Sequence, residues 1–549
     1  MHARGALKWH LLLFGVCFAL ALTNNSLAQS LSVDENDDGQ TRVSWLDSAA
    51  EPRSVRIRND QITTTEQSYL VDGITISDQA LLEGGRMVHH GSCTQGYTSS
   101  DAGTELVASV VFSAKHHALV RRSFRLASCS MPSLVWRITN DYFFQDGSDG
   151  YIQTVAYDSS DIADDVELGD DMRGPYSQFD WPKNGIITGM AWGTQYKFET
   201  TSALTGSGDP STENGVQVNW DWSTPNTIPY VMSWASPSEG GAVDREVGVV
   251  QNQSYQEQDM GGGYYDGGDS WASAPPLSGS SLPAVWALPT QMSGYDSSYS
   301  SGRITWGGVY GAFNNGHSND TGTLSMGSNF RPVNAWSWTH VVGKHSDAPV
   351  KKILRTIEST YQTKLTALAG NVWTEGPRGP GNFVSERLGA MPTTEYLVPG
   401  YDFVYRAWRV DALDDVATLR FELPANTQLS SATIIVSNYT AQTAPDLYYD
   451  ASLLQDSADY YASLVPSENA LYLTLRQAIE AGVHVVDIGG EGLAPSDIDE
   501  GSSSGTASTG SASGGCSLRA HDRTSTSFSM LCFAFVCLIR IRSKSAVRR

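Results

Sequence analysis

Cysteine is scarce in this chain, with six in 549 residues, at positions 17, 93, 129, 516, 532 and 537. A dense disulfide framework is excluded, so stability has to come from a hydrophobic core. Basic residues are also few, 36 Lys+Arg against 59 Asp+Glu, for a formal net charge of −23. That balance excludes a broad basic surface of the kind that holds nucleic acid or anionic lipid. The long apolar runs, Leu11 to Leu22 and Phe528 to Ile539, lie near the two ends. Each has about a dozen residues, short of the roughly 20 that span a bilayer. Nucleophile elbow, HExxH helix, phosphate loop and cofactor fingerprint are all missing, so no short motif marks a catalytic or cofactor class.

What the sequence does have begins with its ends. Arg4 and Lys8 precede the first apolar run, and Ser26-Leu27-Ala28 follows it with small residues at both ends, as signal peptidase prefers. The expected signal peptide is residues 1–28, with cleavage after Ala28; an uncleaved anchor is the alternative. At the other end, residues 501–515 form a Gly/Ser/Thr spacer too polar to fold. Gly514-Gly515-Cys516, the apolar run 528–539, and then Arg540, Arg542, Lys544, Arg548 and Arg549 come next. Basic residues after an apolar run are placed as for a cytoplasmic stop.

This order resembles the GlyGly-CTERM sorting tail over the last forty or so residues. The resemblance implies a processing protease of the intramembrane rhomboid type as a partner, transient residence in the inner membrane, and then surface attachment or release. Ser517 to Thr526 separates the glycines from the apolar run more widely than the family pattern does, which leaves the cut site open. A single weak transmembrane helix that stays in place is the alternative.

Removing residues 1–28 and 516–549 takes nine of the 36 basic and one of the 59 acidic residues, leaving 27 against 58 and a net charge near −31. A secreted or cell-envelope protein of that charge stays soluble, and no nucleic-acid partner is expected. The remaining cysteines, Cys93 and Cys129, are expected to pair in an oxidising compartment; two free thiols are the alternative. Closing that loop would stabilise by roughly 4 kcal/mol in the chain-entropy model.

From Gln29 to about Ser346, β-branched and aromatic segments alternate between Gly, Asn, Asp and Ser clusters, predicting an almost wholly β body. Val350, Ile353, Leu354, Ile357, Tyr361, Leu365 and Leu368 then fall on one helical stripe, predicting a helix over Pro349–Leu368. Ser346 or Asp347 can cap it and Gly370 suits its end. Short strands return from Tyr396 to Ile488, in number and length fitting a small immunoglobulin-like sandwich. The expected domains are a large β domain (29–345), a connector helix (346–370), a sandwich (371–495), a linker (496–515) and the tail (516–549).

The segment RRSFRL (Arg121 to Leu126), followed by a strand ending Arg137-Ile138-Thr139-Asn140, is similar to the galactose-mutarotase-like supersandwich of carbohydrate-active proteins. That resemblance implies a large antiparallel β supersandwich and a glycan partner.

Residues two apart on a strand share a face. Trp336, Trp338 and His340 form one such row, and Trp220 and Trp222 another. Aromatic rows can serve as sugar platforms or as core. His116-His117 and His89-His90 would point to opposite faces and cannot chelate one metal. A general acid or base could be recruited from His317, His340 or His345. Asp34 to Gly39 begins like a calcium loop, but position twelve is Trp45, so a solvated entry to the first strand stands against calcium there. No other cofactor and no metal site is expected. Three functions fit: a carbohydrate-binding surface or secreted protein, a polysaccharide lyase or glycoside hydrolase, and a structural or adhesive envelope protein that binds another protein.

Overall fold

The computed structural model describes residues 31–60, 104–127, 135–158, 244–252, 333–376 and 398–498. Shorter described stretches are 63–71, 74–78, 82–83, 86–90, 97–99, 167–168, 172–180, 188–193, 198–202, 228, 230–239, 303–307, 324–325 and 394–395. Among these the chain is mainly β, with a large antiparallel body, a connector helix and a smaller sandwich.

The body is organised around a nine-stranded sheet. Its order is Phe198–Ser202, Gly189–Gly193, Tyr230–Ala235, Arg245–Gln251, Val333–Gly343, Gly150–Asp158, Val135–Gln145, His117–Ala127 and Thr104–Ser113, antiparallel throughout. Its central strands are buried on both faces. Two-sided burial produces the near-continuous Val, Ile, Tyr and Trp runs that the sequence shows.

One face meets the N-terminal sheet, a meander of Ser32–Asp37, Gln40–Leu46, Pro52–Arg58, Thr63–Val71 and Ile74–Asp78. Val43 and Trp45 alternate inward on one of its strands and Val55 and Ile57 on the next, all buried. Trp45 donates from Nε1 to the Ser148 carbonyl at 2.9 Å, and its ring lies 5.4 Å from Phe144. The Asp34–Gly39 stretch is part of this meander. Asp38 and Gly39 both have positive φ and form the two-residue turn of a hairpin closed by Asp37 and Gln40. Asp37 is spent on an ion pair with Arg56 at 2.8 Å.

The opposite face meets the helix and the C-terminal sandwich. The helix is shorter than its apolar stripe predicts, running Pro349–Gln362. Thr363 turns extended (φ −87, ψ 138), and Lys364–Ala369 becomes a strand paired with Ala417–Leu423. Leu365 satisfies the helical stripe and strand alternation equally, and pairing with a neighbouring strand decides between them. Neither Ser346 nor Asp347 caps the helix. The N-cap is Ala348, and a carboxylate from the nine-stranded sheet supplies the acceptor: Glu246 Oε1 takes the Val350 N–H at 3.0 Å.

The sandwich consists of a five-stranded sheet (Lys364–Ala369, Ala417–Leu423, Gly482–Ile488, Leu447–Tyr449, Ser452–Leu453) facing a six-stranded one (Asn371–Val372, Ala407–Asp411, Thr433–Ser437, Ala470–Leu475, Tyr460–Val465, with Tyr401–Asp402 at its side). One parallel pair, Ala407–Asp411 with Thr433–Ser437, interrupts its antiparallel pattern. Its core is continuous with the body: Leu119, Phe143 and Ile152 of the nine-stranded sheet share a cluster with Tyr405, Leu471 and Tyr472. Residues through Ile498 accordingly form one compact unit.

Candidate functional site

Alternation along Val333–Gly343 sets Trp338 and His340 on one side of the strand, the Trp336 side chain lying outside the described residues, and the register names the backbone neighbours. Trp336 lies opposite Val155, Trp338 opposite Gln153, and His340 opposite Tyr151. On the other flank Trp338 faces Gln251 and His340 faces Val249. Because Gln153 in turn pairs with Tyr142, four neighbouring strands carry the cross-strand row Tyr142, Gln153, Trp338, Gln251. This is the face that meets the N-terminal sheet. Each of the four side chains is buried, Trp338, Gln153 and Gln251 at 0 % exposure.

Polar contacts in the row are partly satisfied. His340 Nε2 lies 2.7 Å from Gln153 Oε1, and its ring stacks on Tyr151 at 4.9 Å. An amide oxygen only accepts, so the imidazole proton sits on Nε2 and donates to it. The Tyr142 hydroxyl is hydrogen-bonded to Asn140. Arg122, on the same face, donates to the carbonyls of Arg58 and Ile57 and to Asn59 Oδ1 at 2.8, 3.1 and 2.9 Å. Two donors differ: Trp338 Nε1 and Gln153 Nε2 are buried and have no hydrogen-bond partner among the described residues.

Burial sets the protonation of the row. It pushes His340 down to about 3 and Tyr142 up to about 12, so both are neutral around pH 7. A weakly basic imidazole and a reluctant phenol are poor proton-transfer groups at that pH. They are good neutral hydrogen-bonding groups.

Other candidates fall elsewhere. Trp220, Trp222, Cys93, Cys129, Ala28, Gly514, Gly515, Cys516 and His317 lie outside the described residues. His345 pairs with Glu246 through Nδ1 at 2.6 Å and stacks on Trp234 at 4.6 Å, beside the helix start. His116 and His117 do not diverge as a regular strand would require. His116 precedes the strand, and both rings reach the C-terminal sandwich. Among the described residues no three His, Cys, Asp or Glu side chains group as a metal site, and no helix is long and apolar enough to cross a membrane.

Sequence reasoning passed over Gln153, Gln251, Tyr142 and Asn140. A signal was present: Gln153 interrupts an otherwise apolar inward set in Gly150–Asp158, and a polar residue at such a position asks for a partner.

No protein-family model matches this chain, and no curated protein does. Among solved structures it is similar to an alpha-mannosidase from Enterococcus faecalis V583, with 8 % identity, a TM-score of 0.27, and coverage of 77 % of this chain and 41 % of that one. The chain thus spans less than half the length of that structure.

Proposed function

We propose that this is an exported glycan-binding β-sandwich protein, and that the row Tyr142, Gln153, Trp338, Gln251 contacts the saccharide. The observation that carries this reading is the pair of unsatisfied buried donors, Trp338 Nε1 and Gln153 Nε2, on adjacent strands. A buried donor left without an acceptor costs about 1–3 kcal/mol, so a sequence that keeps two side by side implies an acceptor that arrives with a ligand. A sugar offers hydroxyl and ring oxygens to donors, and apolar C–H faces to Tyr and Trp. Since both donors are covered, the saccharide has to displace the chain above them, and binding should be slow.

Export rests on residues 1–28, and release or surface attachment on cleavage near Gly514-Gly515 by a membrane protease. Intact-mass analysis of protein from culture or surface fractions tests this part. A mass beginning at Gln29 and lacking Phe528 to Ile539 supports it, and a mass that includes Arg549 contradicts it. For the binding function, a glycan array and co-sedimentation with insoluble polysaccharides should give a selective signal. A flat array together with no sedimentation counts against the reading.

A further inference from the structure

A separate cluster lies where the nine-stranded sheet meets the edge of the C-terminal sandwich. His116 Nδ1 lies 2.8 Å from Asp146 Oδ2, and Asp146 is wholly buried. The other oxygen of that carboxylate, Oδ1, accepts the Leu46 N–H at 2.9 Å, so the carboxylate is held on both sides. An acceptor on Nδ1 fixes the tautomer and leaves Nε2 as the basic nitrogen. Nε2 faces Ser457 Oγ at 3.4 Å. The half-buried Ser457 is brought there from 341 residues away by a turn in which it takes a positive φ of 66°. Serine, imidazole and buried carboxylate in this order form the Ser-His-Asp constellation, recognised by geometry and not by sequence position. A 3.4 Å separation is within the looseness such pairs show without substrate.

The surroundings fit the same chemistry. Lys115 Nζ lies 3.2 Å from Ser457 Oγ and pairs with Asp456 at 2.5 Å, placing a cation beside the reacting oxygen. Asp456 Oδ1 is a second acceptor for the serine hydroxyl, at 3.4 Å. Arg476 donates from Nη1 to the Ser457 and Ala458 carbonyls at 2.9 and 3.0 Å, fixing the turn. Tyr461 covers the imidazole at 4.7 Å. An open cavity of about 260 Å³ lies beside the turn that carries Ser457, lined by Gly147, Ala458, Thr474 and Arg476 among others and by none of the three cluster residues.

We infer that Ser457, His116 and Asp146 form a hydrolytic centre for carboxylic esters. Ser457 Oγ bonds to the acyl carbon while His116 Nε2 takes the hydroxyl proton, and Lys115 stabilises the oxyanion that develops. The ester C–O bond then breaks, its electron pair leaving with the alcohol oxygen, which collects the proton from Nε2. Water attacks the acyl-serine and gives a proton to Nε2. Ser457 Oγ leaves, takes that proton back, and the carboxylic acid is released. Asp146 positions the ring.

The test uses the full-length purified protein with p-nitrophenyl acetate and a fluorophosphonate probe. Hydrolysis above background and one phosphonylated peptide containing Ser457 are expected. Ser457→Ala and His116→Gln should each lower the rate at least about 100-fold, a modest demand beside triad deletions in known serine hydrolases. Ser457→Ala should melt as the wild type does and keep any polysaccharide retention, which separates this activity from the glycan-binding row. Ser457→Cys guards against a folding artefact by exchanging phosphonate labelling for alkylation by iodoacetamide at the same position. Unchanged hydrolysis in Ser457→Ala, or failure of the probe to label Ser457 in folded wild-type protein, overturns the inference.

Discussion

Trp338 shows how one residue can satisfy two readings of a sequence. Its place in an alternating Trp-x-Trp-x-His row is legible from spacing, but whether such a row is platform or core depends on what covers it. It is covered, at 0 % exposure, so it packs as core in this fold and serves as a platform only once the chain above it is displaced. Trp338→Ala should therefore lose roughly 3–5 kcal/mol, read as a lower melting temperature or poor yield. Histidines give a second residue-scale prediction. Burial holds His117 and His340 down to about 3 in the folded chain, against 6.5 as the ordinary value. A depressed histidine pKa means that the unfolded chain binds the extra proton. The stability these two contribute is therefore complete above pH 6.5 and is lost as pH falls from there toward 3. Each histidine supplies a slope of up to about 1.4 kcal/mol per pH unit in that window. Denaturant titrations from pH 7 to 5 should show stability falling, and His117→Gln should flatten the fall. An identical slope in the variant would count against this assignment.

At the scale of elements, most of what the sequence predicts is local and most of what it misplaces is tertiary. The amphipathic stripe from Val350 to Tyr361 is readable, whereas Asp34 to Gly39, expected as the entry to the first strand, is itself the end of a strand and the hairpin turn after it. Alternation over His117–Ala127 and Val333–Gly343 is readable too, because period and turn chemistry are written in neighbouring residues. The helix end is not, since Leu365 fits either period until Ala417–Leu423 pairs with it. Nor is the helix start, where the acceptor comes from Glu246, about a hundred residues earlier, on a sheet strand. Glu246 is buried, and its two oxygens serve the Val350 N–H and His345. Glu246→Ala should lower stability by about 1–3 kcal/mol by leaving the buried Val350 donor unpaired, measured by chemical denaturation. A loss below about 0.5 kcal/mol would show that the helix start finds another acceptor.

For the whole molecule the decisive feature is the seam between the nine-stranded sheet and the C-terminal sandwich. Apolar contacts from Leu119, Phe143 and Ile152 share it with buried charge: Arg121 with Asp141, and Arg409 with Asp402, both pairs at 2.7 Å. The Tyr405 hydroxyl donates to Asp141 at 2.6 Å, and burial raises its pKa. Burial also pushes Asp402 up to about 6 against the pull of Arg409. Arg409→Met would strand Asp402 as an uncompensated buried carboxylate and cost about 3–5 kcal/mol near pH 7. A raised carboxyl pKa means that the folded state binds the proton more tightly. Without Arg409 the Asp402 pKa rises above its wild-type value of about 6, so the penalty should shrink as pH falls toward 6 and level off below it, opposite in sign to the histidine effect, and a pH-independent penalty would contradict it. The seam was illegible in sequence because the contacts that cross it, such as Tyr405 with Asp141, join residues 264 positions apart, and so was the cross-strand row, whose members come from four strands.

The row is tested most directly by isothermal titration of Trp338→Phe against the wild type, using the polysaccharide that the array selects. Phenylalanine keeps an aromatic ring in the same place and removes only the indole N–H and part of the surface. If Trp338 Nε1 donates to the saccharide, affinity should fall about tenfold, the equivalent of one hydrogen bond at about 1.4 kcal/mol, while the melting temperature shifts by only a few degrees. Unchanged affinity in a folded Trp338→Phe protein would contradict the claim that this face of the sheet binds the glycan.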